Sequence, residues 1–151
     1  MAGNPLVDQG LLNRLSASVI WDDFTNLNVE PSSLGTAGIR LRLDGNASSQ
    51  HRTMTGLVQS PEPYIPIEVV INLLKTQGLS DDYKTQMEAT SLIGAGSVWP
   101  DVPVGEGGLT PYQLENMSIL SVAEQSFAGD DPVWAVTCRG FYVVNNNLWG
   151  V

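Results

Sequence analysis

Apolar and polar positions alternate with a period of two over much of this chain, and the longest such run lies in its last third. Over 133–144 the even positions are Trp134, Val136, Cys138, Gly140, Tyr142 and Val144. The odd positions mix Val133, Ala135, Phe141 and Val143 with Thr137 and Arg139. That pattern predicts a strand with one buried face and a second face that is only partly wet. The turn signal Gly129-Asp130-Asp131-Pro132 feeds straight into it. A second run, 64–75, sets Ile65, Ile67, Val69, Ile71 and Leu73 on one face. Its other face holds Tyr64, Pro66, Glu68, Val70, Asn72 and Leu74, and Pro66 argues for an edge position at that end. Shorter strands are predicted at 16–21, with Ala17, Val19 and Trp21 on one face, at 39–43, where Ile39, Leu41 and Leu43 alternate with Arg40 and Arg42, and at 53–59. Residues 116–125 are expected to pair with the final strand as a hairpin.

The connectors complete the outline. Residues 3–15 read as an extended arm anchored by Leu6, Leu11 and Leu12, among others, and 22–36 as a loop. Asp44-Gly45-Asn46 is a strong turn signal that opens a polar stretch, 47–52, ahead of a strand containing Leu57. One helix is predicted over 79–90, with Ser80 as N-cap, Asp81 and Asp82 in the first turn, and Leu79, Tyr83 and Met87 on the buried face. The Gly- and Pro-rich stretch 94–108 reads as a loop anchored by Val98 and Trp99. The fold class expected is mainly β (α+β): a single domain over 1–151, an antiparallel sandwich or half-barrel with one flanking helix and an N-terminal arm over 1–15.

Composition narrows the functions. Only 15% of the 151 residues are charged, against roughly 25% in typical soluble domains, which suggests surface covered by partner subunits. Sixteen acids against seven Lys and Arg give a net charge of -9, which disfavours gripping nucleic-acid phosphates. No apolar run approaches the roughly 20 residues that span a bilayer. Met1-Ala2-Gly3-Asn4-Pro5-Leu6-Val7-Asp8 lacks the basic-then-apolar order of a signal peptide. Cys138 is the only cysteine and His51 the only histidine, in separate segments, so no disulfide, thiolate cluster or thiol–base pair is expected. The pairs Asp22-Asp23, Asp81-Asp82 and Asp130-Asp131 lack the alternating spacing that wraps Ca²⁺, and the glycines around 94–108 do not match a phosphate loop. The chain is therefore expected to be no enzyme and to use no cofactor or metal. Four tryptophans exceed the needs of a small core, and tryptophan is favoured at interface hot spots, which draws attention to Trp149 near the C-terminus.

The order of elements, with Ser60-Pro61-Glu62-Pro63-Tyr64, Leu73-Leu74-Lys75-Thr76-Gln77 running into Tyr83-Lys84-Thr85-Gln86-Met87-Glu88, and Phe127-Ala128-Gly129-Asp130-Asp131 ahead of Val136-Thr137-Cys138-Arg139-Gly140-Phe141-Tyr142, resembles tail tube proteins of contractile-tailed bacteriophages. The resemblance implies a structural virion protein: hexameric rings joined edge to edge, stacked into a tube inside a sheath above a baseplate. Double-stranded DNA would pass through the lumen without specific binding, no membrane would be involved, and assembly would take place in the host cytoplasm. Glu68 and Asn72 are then expected to face the lumen. Leu6, Leu11, Leu12, Leu57, Thr137, Arg139 and Trp149 are expected between subunits, with the hairpin region 44–60 and the arm reaching the next ring. Two other readings remain open: a related ring that initiates or terminates such a tube, and a monomeric β-sandwich module binding carbohydrate through Trp99 or Trp149.

Overall fold

A computed structural model of the chain describes residues 17–99, 111–122 and 129–149. Eight strands and one helix lie within these residues: β1 Ser18–Trp21, β2 Leu34–Leu43, β3 Ser48–Arg52, β4 Leu57–Pro61, β5 Tyr64–Leu74, α1 Gly78–Ala89, β6 Leu92–Trp99, β7 Tyr112–Val122 and β8 Val133–Val143. Six of the strands form one antiparallel sheet in the order β1-β6-β7-β8-β5-β2, curled into a half-barrel. Strands β3 and β4 form a separate two-stranded ribbon. The expected arm over 1–15, with Leu6, Leu11 and Leu12, lies outside the described residues.

The two runs with the clearest alternation become the middle of the sheet. β5 and β8 pair along their full lengths, so that Val69 faces Cys138, Ile71 faces Val136 and Leu73 faces Trp134. All six are buried, on the face that α1 and the 3-10 turn Thr25–Leu27 cover. At the heart of that core the Tyr83 hydroxyl donates to the Leu27 carbonyl at 2.7 Å and accepts the Trp21 Nε1 proton at 2.9 Å. One side chain thus ties the helix to β1 and to the turn that follows it.

Local chemistry moves several boundaries. The ladder between β2 and β5 ends at Leu43 and Ile67, one residue short of Pro66, so the missing proline donor falls where β5 is locally an edge. The Pro66 carbonyl still accepts from Asp44 N at 2.8 Å. The helix begins at Gly78 rather than at an N-cap on Ser80; Gln77 holds the cap position, and the Ser80 hydroxyl donates back to its carbonyl at 3.0 Å. Residues 94–99 of the stretch read as a loop belong to strand β6, Leu92–Trp99. Gly140 allows the bulged part of β7 to cross β8: an added Cβ would meet the Glu115 carbonyl at 2.5 Å and also collide with Met117 Sδ. Gly140→Ala is expected to cost about 1–3 kcal/mol, measured by urea denaturation.

Candidate functional site

Two regions hold most of the described residues singled out from the sequence. The first is the face of the half-barrel turned away from α1, which no described element covers. Across it, Arg42 of β2, Glu68 of β5, Arg139 of β8 and Ser118 of β7 fall in one row of the register. Glu68 Oε2 accepts from Arg42 Nη2 at 3.0 Å and lies 3.6 Å from Arg139 Nη1, while Arg139 Nη2 donates to Asp44 Oδ2 at 2.7 Å. Two arginines and two carboxylates therefore neutralise one another, and Arg40 stands one register pair along the same face. The net acidity of the chain is not concentrated here. It is carried in part by Asp22 and Asp23 after β1, by Asp81, Asp82 and Glu88 on α1, and by Asp130 and Asp131 before β8.

Hydrogen bonding and the attraction of Arg139, then that of Arg42, hold the Asp44 carboxyl below its ordinary 3.8. The sign follows from linkage. A depressed folded-state pKa adds stability above the ordinary carboxylate range, and that stability is lost as pH falls through the lowered value. In an NMR titration Asp44 should protonate below pH 3.8, and Arg139→Gln should move it back up.

Asn72 has a more local task. Its Nδ2 donates to the Gly38 carbonyl at 2.9 Å, beside the irregularity in the β2–β5 ladder between Leu34 and Ile39. Gly38 sits there at φ 65, a conformation that glycine adopts without strain. Glu68 and Asn72, expected to face a lumen, thus share the open face but are both engaged within the subunit. Thr137 and Arg139 lie on that face too, half-buried. Val70, Ala135 and Phe141 fill the space between, with Phe141 tilted against Tyr64 at a ring separation of 5.3 Å.

The second region is the ribbon, which leaves the sheet between β2 and β5. Its reversal is at 53–56, where Thr53 N and Thr53 Oγ1 both donate to the Gly56 carbonyl, at 2.8 and 3.0 Å. The polar stretch expected over 47–52 is instead largely its first strand, Ser48–Arg52. Of the ten strand residues, nine are exposed and only Ser49 is half-buried. Leu57 and Val58 are among the exposed ones, and Met54 at the tip is as open as in an extended peptide, at 104%. The base is fastened. Glu62 N donates to the Ala47 carbonyl at 2.8 Å, and Asn145 Nδ2 donates to the carbonyls of Ala47 and Glu62 at 3.0 and 2.7 Å. Trp149, in the 3-10 turn Asn146–Trp149, donates its indole proton to the Pro63 carbonyl at 3.0 Å. Leu148 beside it and Leu43 at the end of β2 are also exposed, so apolar surface gathers at this end of the sheet.

Asn145 carries no sequence signal for this clamp; its φ of 50 becomes visible only in the structure. The residues first considered for chemistry do not converge. Cys138 is buried on β8, and burial pushes its thiol up to about 12. His51 is exposed on β3. Cys138 should resist alkylation by maleimide in the native protein and react only after unfolding, read by mass spectrometry.

No family model matches the sequence, and no curated protein matches it either. Among solved structures, the chain is similar to the tube-terminating cap of the anti-feeding prophage, determined by cryo-electron microscopy. The TM-score is 0.49 at 12% identity, over 93% of this chain and 97% of that one. Similarity of this degree is a shared outline and does not extend to residues or roles.

Proposed function

We propose that the chain is a non-catalytic structural subunit of a contractile-type tail, stacking as hexameric rings into the tube inside the sheath, through which double-stranded DNA passes. The observation that carries this reading is the β3–β4 ribbon. A two-stranded hairpin is marginal in water by itself, and this one exposes Met54, Leu57 and Val58 with no packing layer of its own. Such an element is stabilised by a partner.

Two further features support ring formation. The sheet ends in two strands, β1 and β2, and the outer side of β2 pairs with no described strand. An open β2 edge presents free backbone donors and acceptors that a neighbouring subunit can satisfy. Exposed apolar residues also occur in two parts of the subunit: Ile20, Leu92, Trp99 and Leu120 are spread along β1, β6 and β7, and others lie around the ribbon. Unlike surfaces favour head-to-tail association, which closes into rings or continues as filaments. On the open face, pairing of Arg42 and Arg139 with Glu68 and Asp44 leaves less free positive charge to hold DNA phosphate.

Electron microscopy and sedimentation of the purified protein test the proposal. Stacked tubes are the expected result. Single rings that do not stack would assign the chain to an initiating or terminating ring instead. Monomers that persist at high concentration, with tryptophan fluorescence that responds to sugars, would replace the proposal with the binding-module reading.

A further inference from the structure

The ribbon joins the sheet through two short legs, 44–47 and 62–63, and neither of its strands packs extensively on another described element. Its own ladder is continuous, from Ser48 opposite Pro61 to Arg52 opposite Leu57. Hydrogen bonding of the main sheet reaches as far as Asp44 N, which donates to the Pro66 carbonyl, and the ribbon begins where Glu62 N donates to the Ala47 carbonyl, both at 2.8 Å. Between these two bonds no described backbone group of one leg bonds the other. The ribbon can therefore turn at residues 45–46 and 63. With five-residue strands the tip stands about 17 Å from this joint, so a turn of about 20° moves Met54 by roughly 6 Å.

The C-terminal segment bridges the joint. Val144 N and Trp149 Nε1 both donate to the Pro63 carbonyl, at 3.3 and 3.0 Å. One amide group, Asn145 Nδ2, donates to Ala47 on the incoming leg at 3.0 Å and to Glu62 on the outgoing leg at 2.7 Å. Pro61 and Pro63 carry no amide proton, so the outgoing leg takes its donors from elsewhere in the fold. Two requirements meet at position 145: a left-handed backbone, φ 50, and a nitrogen with two protons. Asparagine satisfies both. Its carbonyl accepts from Leu148 N at 2.9 Å, which turns the chain back and brings Trp149 to Pro63. Asn145 and Trp149 are exposed, so water competes for these bonds and each contributes modestly. They can break without unfolding the sheet.

We propose that Asn145 and Trp149 form a releasable latch that fixes the direction of the ribbon relative to the sheet. Closed, it holds both legs to the end of β8. Open, the ribbon turns as a unit at 45–46 and 63 while its own ladder stays intact. Leu148 and Trp149 place exposed apolar surface on the latch itself, so a partner that draws Trp149 onto its own surface opens it. The latch belongs to a single subunit and stands whether or not the chain stacks.

Distances between nitroxide labels in the full chain test it. Met54→Cys at the tip and Ser121→Cys on β7 supply exposed labelling sites, and the native Cys138 is buried. Labelled chain is diluted into unlabelled chain, so that only distances within one subunit are read. The distribution should be narrow, and Asn145→Gly combined with Trp149→Ala should roughly double its width. Glycine keeps the left-handed backbone and removes only the amide. A second label pair, Thr85→Cys on α1 with Ser121→Cys, should keep its width in that variant, because neither position is in the ribbon. A wide distribution before the latch is altered, or an unchanged width afterwards, would overturn the latch. Broadening of both pairs would overturn it too, since the subunit as a whole would then have loosened.

Discussion

Tyr83→Phe should lower the stability of the subunit by about 2–4 kcal/mol, although it removes a single oxygen from the core. The hydroxyl is fully buried, donates to the Leu27 carbonyl at 2.7 Å and accepts from Trp21 Nε1 at 2.9 Å. Phenylalanine preserves the packing of the ring and leaves both partners desolvated and unpaired. The cost is therefore that of stranded polar groups rather than of a cavity. For a chain of this length the melting temperature should fall by roughly 5–15 °C in calorimetry. A second signature separates this cause from a packing defect. Burial holds the Tyr83 hydroxyl well above its ordinary 10.0, so its contribution is present below that pH and fades as pH rises beyond it, where the unfolded chain ionises first. The variant should lack that part of the alkaline loss.

How much of this was legible in advance depends on what sets each element. β5 and β8 were readable because Ile65 to Leu73 and Trp134 to Cys138 keep strict alternation, the direct imprint of a sheet with one buried face. β6 was not, because Gly94 and Gly96 interrupt the pattern and resemble loop residues. Gly96 serves packing: an added Cβ would meet the Trp21 ring at 2.5 Å and the Ile20 carbonyl at 2.7 Å, so the strand needs a residue without one. Strand β3 was read as a polar connector for a related reason. Asp44-Gly45-Asn46 reads as a hairpin turn, yet Asp44 N stays bonded to the Pro66 carbonyl, and the chain reverses only at 53–56. Among the candidate site residues, alternation placed Glu68, Asn72, Thr137 and Arg139 on one face. It carried no information about their partners, because Arg42, Gly38 and Asp44 come from distant segments that the fold brings together.

Excision of the ribbon should abolish assembly while leaving the subunit folded. Glu62 N already bonds the Ala47 carbonyl at 2.8 Å, so residues 48–61 can be replaced by an Asn-Gly turn without moving the ends. Nothing in the buried core comes from the excised segment, since the core cluster is drawn from β1, β5 to β8, α1 and the turn after β1. The melting temperature should therefore change by about 2 °C or less, as for other changes remote from the core. The clamp by Asn145 would also survive, because both of its acceptors, on Ala47 and Glu62, are kept. Assembly has no such reserve. The ribbon carries Met54, Leu57 and Val58, exposed apolar residues outside the six-stranded sheet, so their loss removes contact area that the open β2 edge does not replace. Sedimentation should find the shortened chain below the size of a stack at concentrations where the full chain assembles. Stacks of unchanged length from the shortened chain would assign assembly to the sheet edges and the C-terminal turn, and the ribbon would lose its role.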